Sequence, residues 1–429
     1  MTLEREIRAL ALPAIAHSLL QTLVFVVDRA MLGHHDESSL AAMQLAGPIE
    51  WSVWSIFLAF EVGTVACVGR LVGEGERARA RTAAVVSLGY AGLAGAAVAL
   101  LSPLLLAALP LAASGASASV LAGARGYLAI TLVASPIIFV SSVATATLQA
   151  GGNTRTPLAI AIVSNVLHIG ANALLIPRFG MRGCAASTAG TFALEAALGV
   201  LALSRADAPV SLRGAALVAP RAILADIARV GWPSLVERAL YHAGFLAYVS
   251  IIGRLGDAAM AGNQALISVE SICFLSADGF GIAAAALVAQ KLGARRAGDA
   301  RRAARIAARD AAVSLATLGL LVLAARRLVL PIFAKDASVV DVGLGAVPIL
   351  ALAQPFMAVG IVMGQALRGA GRTRTALLIS LAGAVFVRLS CTWLFAIELH
   401  LGLRGVWLGS TCDWIVRAAL VLLASRRIR

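Results

Sequence analysis

The chain has 429 residues, 60% of them hydrophobic and only 14% charged, with a mean hydropathy of +0.89. An ordinary globular domain has roughly 45–50% apolar and about 25% charged residues, so this chain cannot supply the polar surface of a soluble protein of its length. That excludes a disordered chain, a disulfide scaffold and nearly every soluble enzyme, and leaves an all-α polytopic membrane protein. The net charge of +14, from 36 Lys+Arg against 22 Asp+Glu, fits loops held against anionic lipid. It does not suggest nucleic acid, because aromatics are 5% and do not interleave with the basic runs.

At about 35 residues per helix and loop there is room for roughly twelve spans. The N-terminal MTLEREIRAL carries acids and has no small-residue cleavage site, so no cleaved signal peptide is expected. Long charge-free windows place the first six spans at 8–32, 43–70, 83–109, 121–149, 156–177 and 183–204. The turn-rich stretch Pro110–Ser119 separates the third from the fourth. Six more follow at 229–253, 260–290, 305–330, 341–367, 375–397 and 404–425. Cys67, Cys184, Cys273, Cys391 and Cys412 all fall in apolar stretches without a CxxC pair and read as small buried hydrophobes. Between the spans, 23 Lys and Arg collect on one side and 7 on the other. The positive-inside rule then puts both termini in the cytoplasm.

The second half repeats the first. At an offset of 220 Pro13 meets Pro233, Gly33 meets Gly253, Ala41 meets Ala261 and Gln44 meets Gln264. Glu50 likewise meets Glu270, Phe60 meets Phe280, Gly73 meets Gly293 and Arg81 meets Arg301. Pro136 meets Pro355 at 219, where LQAGGNTRT at Leu148–Thr156 meets LRGAGRTRT at Leu367–Thr375. Gly180, Arg182 and Gly183 meet Gly402, Arg404 and Gly405. Six spans per half means both halves enter the membrane the same way round, the parallel-repeat plan of transporters. The expected division is an N-terminal lobe 1–208, a cytoplasmic linker 209–228 and a C-terminal lobe 229–429.

The order and duplication of these motifs resemble the multidrug and toxic compound extrusion (MATE) family, in its DNA-damage-inducible (DinF-like) branch. The first span, ALPAIAHSLLQTLVFVVDRAMLG, has that family's Pro, then Gln, then VD-x-x-MLG order. The seventh and eighth spans and the two TRT loops are similar to the family's second half. The resemblance implies a secondary transporter that exports small organic compounds in exchange for H+ or Na+ by alternating access, with no other cofactor. It implies a multi-pass protein of a bacterial inner membrane whose partners are a small organic substrate and the lipid bilayer, and a monomer. Where the family's fifth span often reads N-x-x-N-x-x-x-D, this chain has Asn165, His168 and Asn172. The missing acid points to protons rather than sodium.

A lone carboxylate inside a span is costly, so Asp28 is the candidate proton-binding acid. Its neighbour Arg29 points about 100° away on the helix and is a poor partner. Asn165, His168 and Asn172 share one helical face, either as interhelical glue or as the wall of a cation-coupling site around Asp28. Gln21, Glu61, Glu195, Glu237, Asp278 and Asp413 are candidates for the substrate cavity. Glu237 fits the family's P-x-x-x-E pattern after Pro233, and Asp413 precedes Arg417 by one helical turn. Arg388 should neutralise one of these acids. Glu50 and Glu270 read as a structural pair common to both lobes. No HExxH, GxSxG or Walker lysine is present, so neither an enzyme nor a nucleotide-driven pump is expected. A lipid-linked oligosaccharide flippase of the same superfamily would need a more cationic cavity than this mainly acidic set. A membrane transferase would need paired Asp motifs at the membrane edge.

Overall fold

The computed structural model describes residues 3–35, 37–112, 117–206, 208–214, 217–333 and 337–426, and these contain helix and no strand. Helix is what the composition demands, because backbone groups in hydrocarbon have only each other as partners. In chain order the elements are α1 (Leu3–His35), α2 (Glu37–Glu74), α3 (Arg77–Ala112), α4 (Ala118–Val133) and α5 (Ser135–Ala150). Next come α6 (Arg155–Leu203), α7 (Pro220–Gly253), α8 (Asp257–Gly293) and α9 (Ala297–Ala324). The short α10 (Arg326–Phe333) and α11 (Ala337–Leu344) lead to α12 (Val347–Gly369). The next span changes winding along its length: α13 (Thr373–Ser380), π-helical Leu381–Val387, α14 (Arg388–Thr392) and π-helical Trp393–Glu398. The last helix is α15 (Gly402–Ser425).

Ten of these stretches are long and apolar enough to cross a membrane, and α4 with α5, bent by 55°, make an eleventh. The bend falls where Pro136 lacks the N–H that would continue the ladder. The twelfth crossing lies inside α6. Its 49 residues would span about 74 Å as one rod, more than twice a hydrocarbon core. It does not run straight: Gly180, at φ 53° and ψ −130°, takes a conformation closed to L side chains and turns the chain back. A Cβ on Gly183 would lie 2.3 Å from the Leu175 carbonyl oxygen, so the second leg starts in direct contact with the end of the first. The repeat reproduces this turn. Gly402 also has positive φ, 57°, and a Cβ on Gly405 would meet the backbone of Phe395 and Ala396 at 2.5 Å.

The expected boundaries shift at a few places. α7 begins at Pro220, so the second half of the expected linker 209–228 is already helical. The ninth span runs from Ala297, not 305, because the basic stretch after Arg296 is the first turns of α9. Arg427, Arg429 and Lys335, used in the charge count, lie outside the described residues.

The chain forms two compact units, residues 16–231 and residues 1–15 with 232–429. α1 and α7 each pass from one unit to the other, two residues after Pro13 and just before Pro233. Apolar burial explains the assignment. Ile7 and Ala11 are fully buried among α8, α9 and α12 residues such as Leu287, Ala304 and Met363. Glu6 accepts from Lys291 at 2.9 Å and Asp310 from Arg8 at 2.9 Å, tying the start of α1 to α8 and α9. Symmetrically, Ile223 and Ile227 of α7 are buried with Val68, Ala80 and Ala150 in the other unit. All five cysteines are free thiols; Cys184 and Cys273 are buried as the sequence suggested, whereas Cys67, Cys391 and Cys412 are only partly buried.

The reversal at Gly180 should be sensitive to substitution. Gly180→Ala should cost about 1–3 kcal/mol through backbone strain. Gly183→Val should cost a similar ~1–3 kcal/mol or more through overpacking. Gly170→Ala, in the same helix with nothing within 4 Å of its added carbon, should be neutral or stabilising. Thermal unfolding in detergent measures all three.

Candidate functional site

Within the unit 16–231, the reversal of α6 sets two polar stripes face to face. On the first leg His168 and Asn172 are one turn apart; on the second Thr188, Thr191 and Glu195 recur at i, i+3 and i+7. α1 brings Gln21 and Asp28, seven residues apart, to the same place. Asp28 is fully buried. Its Oδ1 lies 2.7 Å from His168 Nε2 and accepts from Asn172 Nδ2 at 2.7 Å, while Thr188 donates to Oδ2 at 3.3 Å. No Lys or Arg pairs with it among the described residues.

The two ring nitrogens of His168 face different partners. Thr191 donates its hydroxyl hydrogen to the Ser187 carbonyl at 2.8 Å, and its oxygen also lies 2.9 Å from His168 Nδ1. The Ser187 hydroxyl lies 3.1 Å from Nδ1 and 3.3 Å from the His168 carbonyl oxygen. Nε2 lies 2.7 Å from Asp28 Oδ1 and 3.1 Å from Asn172 Nδ2. An imidazole can donate or accept at either nitrogen, so the ring can pass a hydrogen bond from the hydroxyl side to the carboxyl side.

A second layer lies one to two turns along the same helices. Glu195 accepts from Ser141 of α5 at 3.2 Å and is hydrogen-bonded by Gln21. The predicted residues thus fall in two adjacent layers on the same helices, Asp28 with His168 and Asn172, and Gln21 with Glu195. Asn165 does not join them; its amide donates to the Ala161 carbonyl of its own helix at 2.8 Å, because it sits one turn short of Asp28. Glu61 is half-buried on α2. Sequence reasoning missed Ser141, Ser187, Thr188 and Thr191. The last three were legible as a polar stripe leading to Glu195, had the hairpin been recognised. Glu50 accepts from Tyr127 at 2.9 Å, which ties α2 to α4.

In the unit holding residues 232–429, Asp413 is also fully buried, and two guanidinium groups grip it. Arg388 reaches Oδ2 through Nε at 2.8 Å and Nη2 at 2.7 Å. Arg417 reaches Oδ1 through Nε at 2.5 Å and Oδ2 through Nη2. The acid neutralised by Arg388 is thus Asp413, and the expected Asp413–Arg417 pair is present beside it. The Arg417 guanidinium stacks on Trp414, 3.7 Å from the ring centre. Glu237 pairs not with adjacent Arg238 but with Arg368 of α12, and accepts from Ser380 at 2.5 Å. Asp278 accepts from Gln365 at 3.0 Å. The predicted cavity acids of this unit thus lie in two groups, and three arginines make the set less acidic than the sequence count suggested.

The MatE family model matches residues 13–174 and again 233–394, the two matches starting 220 residues apart as the internal repeat requires. A probable multidrug resistance protein NorM of Thermotoga maritima is 28% identical over 98% of this chain and 92% of its own length. The multidrug resistance protein MdtK of Edwardsiella ictaluri is 23% identical over 98% of this chain and 94% of its own. A solved outward-facing multidrug resistance MATE family transporter of the MOP superfamily superposes with a TM-score of 0.93 at 20% identity, over all of this chain and 96% of that one.

The two buried aspartates should respond differently to loss of charge. Asp413→Asn strands two buried guanidinium groups and should cost about 3–5 kcal/mol. Asp28→Asn keeps a hydrogen-bonding side chain among neutral partners and should change stability by only ~1 kcal/mol. Unfolding midpoints of the two variants against the parent chain give the comparison.

Proposed function

Because the chain belongs to the MatE family, we propose that it is a secondary antiporter exporting small organic compounds by alternating access, with protons as the coupling ion and Asp28 as the group that carries them. The observation behind this reading is the contrast between the two fully buried aspartates. Asp413 has permanent counter-charges in Arg388 and Arg417. Asp28 has none, and its shortest contact is to a group that can itself take or give a proton. A carboxylate left in that surrounding without a cation is expensive, so a proton is what settles it there.

The surroundings favour a proton over sodium. A hard metal cation is held by several oxygen ligands. Asp28 is met instead by a ring nitrogen, by the NH2 group of Asn172 and by a single hydroxyl oxygen, that of Thr188. Loading and unloading the proton changes which atoms donate across the interface between α1 and the α6 hairpin. The neutral carboxyl gives its hydrogen to Nε2, whereas the carboxylate only accepts. That re-bonding would bias α1 between two packings. The prolines Pro13 and Pro233, near the places where α1 and α7 change unit, remove ladder hydrogen bonds where a long helix can bend.

The relatives named above are multidrug resistance proteins of bacteria. On their model the substrates are small organic compounds, the membrane is the bacterial inner membrane and the protein works as a monomer. Both termini face the cytoplasm by the arginine count. A C-terminal reporter active only in the periplasm contradicts that orientation.

The coupling is tested by efflux in sodium-free proteoliposomes under an imposed pH gradient. The parent chain should transport and Asp28→Asn should fall to background. His168→Gln should be slowed and should lose steepness in its pH response, because one of the two groups sharing the proton is gone. A parent chain that stays silent until a sodium gradient is added overturns the proton reading, and so does full proton-driven transport by Asp28→Asn.

A further inference from the structure

The internal repeat places the Arg388–Asp413 cluster in the same frame as the Asp28–His168 network. At the offset of 220 Asp28 corresponds to Tyr248; the offset is 219 at Thr156 with Thr375 and 220 again where the two family matches end, at residues 174 and 394, which pairs His168 with Arg388. After the glycine turn the offset is 222, fixed by Gly180 with Gly402 and Gly183 with Gly405, so Thr191 corresponds to Asp413 and Glu195 to Arg417. The contacts correspond too. His168 bonds Thr191 across its hairpin at 2.9 Å, and Arg388 bonds Asp413 at 2.8 Å. His168 meets the first helix of its unit at Asp28, and Arg388 lies over the Tyr248 ring, 5.8 Å from its centre. One frame carries two acids and an imidazole; the other carries two guanidinium groups, one acid and an aromatic ring.

We propose that this second cluster is a subsite for the anionic group of an aromatic substrate, a carboxylate or sulfonate held by Arg388. The inference rests on the reading of the chain as an exporter of organic compounds and names a class of compound it takes. Asp413 is one charge facing two guanidinium groups, so among the described residues one positive charge is left without a carboxylate in contact. Glu270 stands in the same field but forms no ion pair or hydrogen bond with either arginine among the described residues, and its Oε1 is buried without a partner. Arg388 binds Asp413 through Nε and Nη2, which leaves the two hydrogens of Nη1 for a planar anion. Beside Arg388 is a recess lined by Tyr241, Gly244, Phe245, Tyr248, Ala384 and Arg388 itself. Tyr241 and Phe245 are 44% and 41% exposed in all, so beside the recess an aromatic body has ring surface to lie against while its acid reaches the guanidinium. The helix that carries Arg388 is wound as π-helix on both sides of it, Leu381–Val387 and Trp393–Glu398. Wide turns of this kind are rare and cluster at functional sites.

The test uses the full chain in nanodiscs of zwitterionic lipid and two probes of equal ring size, 2-naphthalenesulfonate and 2-naphthyltrimethylammonium, with equilibrium binding as the readout. The parent chain should bind the sulfonate at least about tenfold more tightly than the ammonium. Arg388→Gln should lose about tenfold or more of the sulfonate affinity and none of the ammonium affinity. Arg417 stays on Asp413 in that variant and keeps the acid paired. Tyr241→Ala leaves both ion pairs in place and should weaken both probes together, which keeps the proposal testable if Arg388→Gln does not fold. A parent chain that prefers the ammonium, an Arg388→Gln that binds the sulfonate like the parent, or a Tyr241→Ala that changes neither probe overturns the subsite. Phosphatidylglycerol that displaces the sulfonate from the parent chain overturns it in favour of a lipid headgroup. Binding needs no gradient, so intact sulfonate binding without pH-driven efflux counts against proton antiport alone. Efflux of the ammonium in preference to the sulfonate counts against the subsite alone.

Discussion

A carboxylate inside an apolar helical bundle must be neutralised, and this chain meets that constraint in two ways. At Asp413 the neutralising charge is covalently fixed, on Arg388 and Arg417. At Asp28, on the proton-antiport reading proposed above, it is a proton, with His168 2.7 Å away. The first arrangement holds the same charge at any pH the membrane meets, since guanidinium groups do not release their protons. The second, on that reading, exists only while a proton is present. The polar architecture around each acid follows from this difference. Hydroxyls and amides, which can exchange donor for acceptor roles, surround Asp28. Aromatic faces, which favour a permanent cation, surround the arginines: Tyr248 and Trp414 for Arg388, and Trp414 again for Arg417.

Most of the architecture is legible in the sequence because membrane helices announce themselves through long apolar windows. The spans and the special status of Asp28 come from that signal and its interruptions, and the repeat from residues matched at a nearly constant offset. The boundaries that slipped are those where charge and helix coexist, as at Pro220–Arg229 and Ala297–Arg305, since a hydropathy window reads an amphipathic helix end as loop. The winding of the eleventh span is not legible, because π and α turns differ in hydrogen-bond register and not in composition. Among site residues, His168 and Asn172 were found because they share a face at helical spacing. Asn165 shares that face too, yet bonds its own backbone. Periodicity gives the face of a helix, but the depth at which a partner crosses it is set by the fold.

Partners of the charged residues were the hardest part to foresee. Glu237 has an arginine beside it in sequence and pairs instead with Arg368, 131 residues away. Neighbouring residues on a helix diverge by about 100°, so the adjacent charge is the one least able to reach. Arg388 and Asp413 are 25 residues apart and face each other only because the chain turns at Gly402. The same holds for His168 and Thr191, 23 residues apart, and Gly180. These two pairs are therefore set by the glycine turn between their legs more than by the residues that pair.

Those turns also explain how the two halves could diverge in charge without diverging in fold. Each hairpin closes through backbone contact, Gly183 on Leu175 and Gly405 on Phe395 and Ala396, and needs no polar side chain to hold its legs together. The facing positions one to three turns away are thus released from a structural duty. In one half they became imidazole, hydroxyl and carboxyl; in the other, guanidinium and carboxylate. A hairpin that depended on its polar pairs for closure could not have exchanged His168 for Arg388 and Glu195 for Arg417 at equivalent places, because the first substitution would have left a buried group unpaired and the fold with it. Here the backbone carries the fold, and the polar seam inside each hairpin is free to be set by the charge it has to handle.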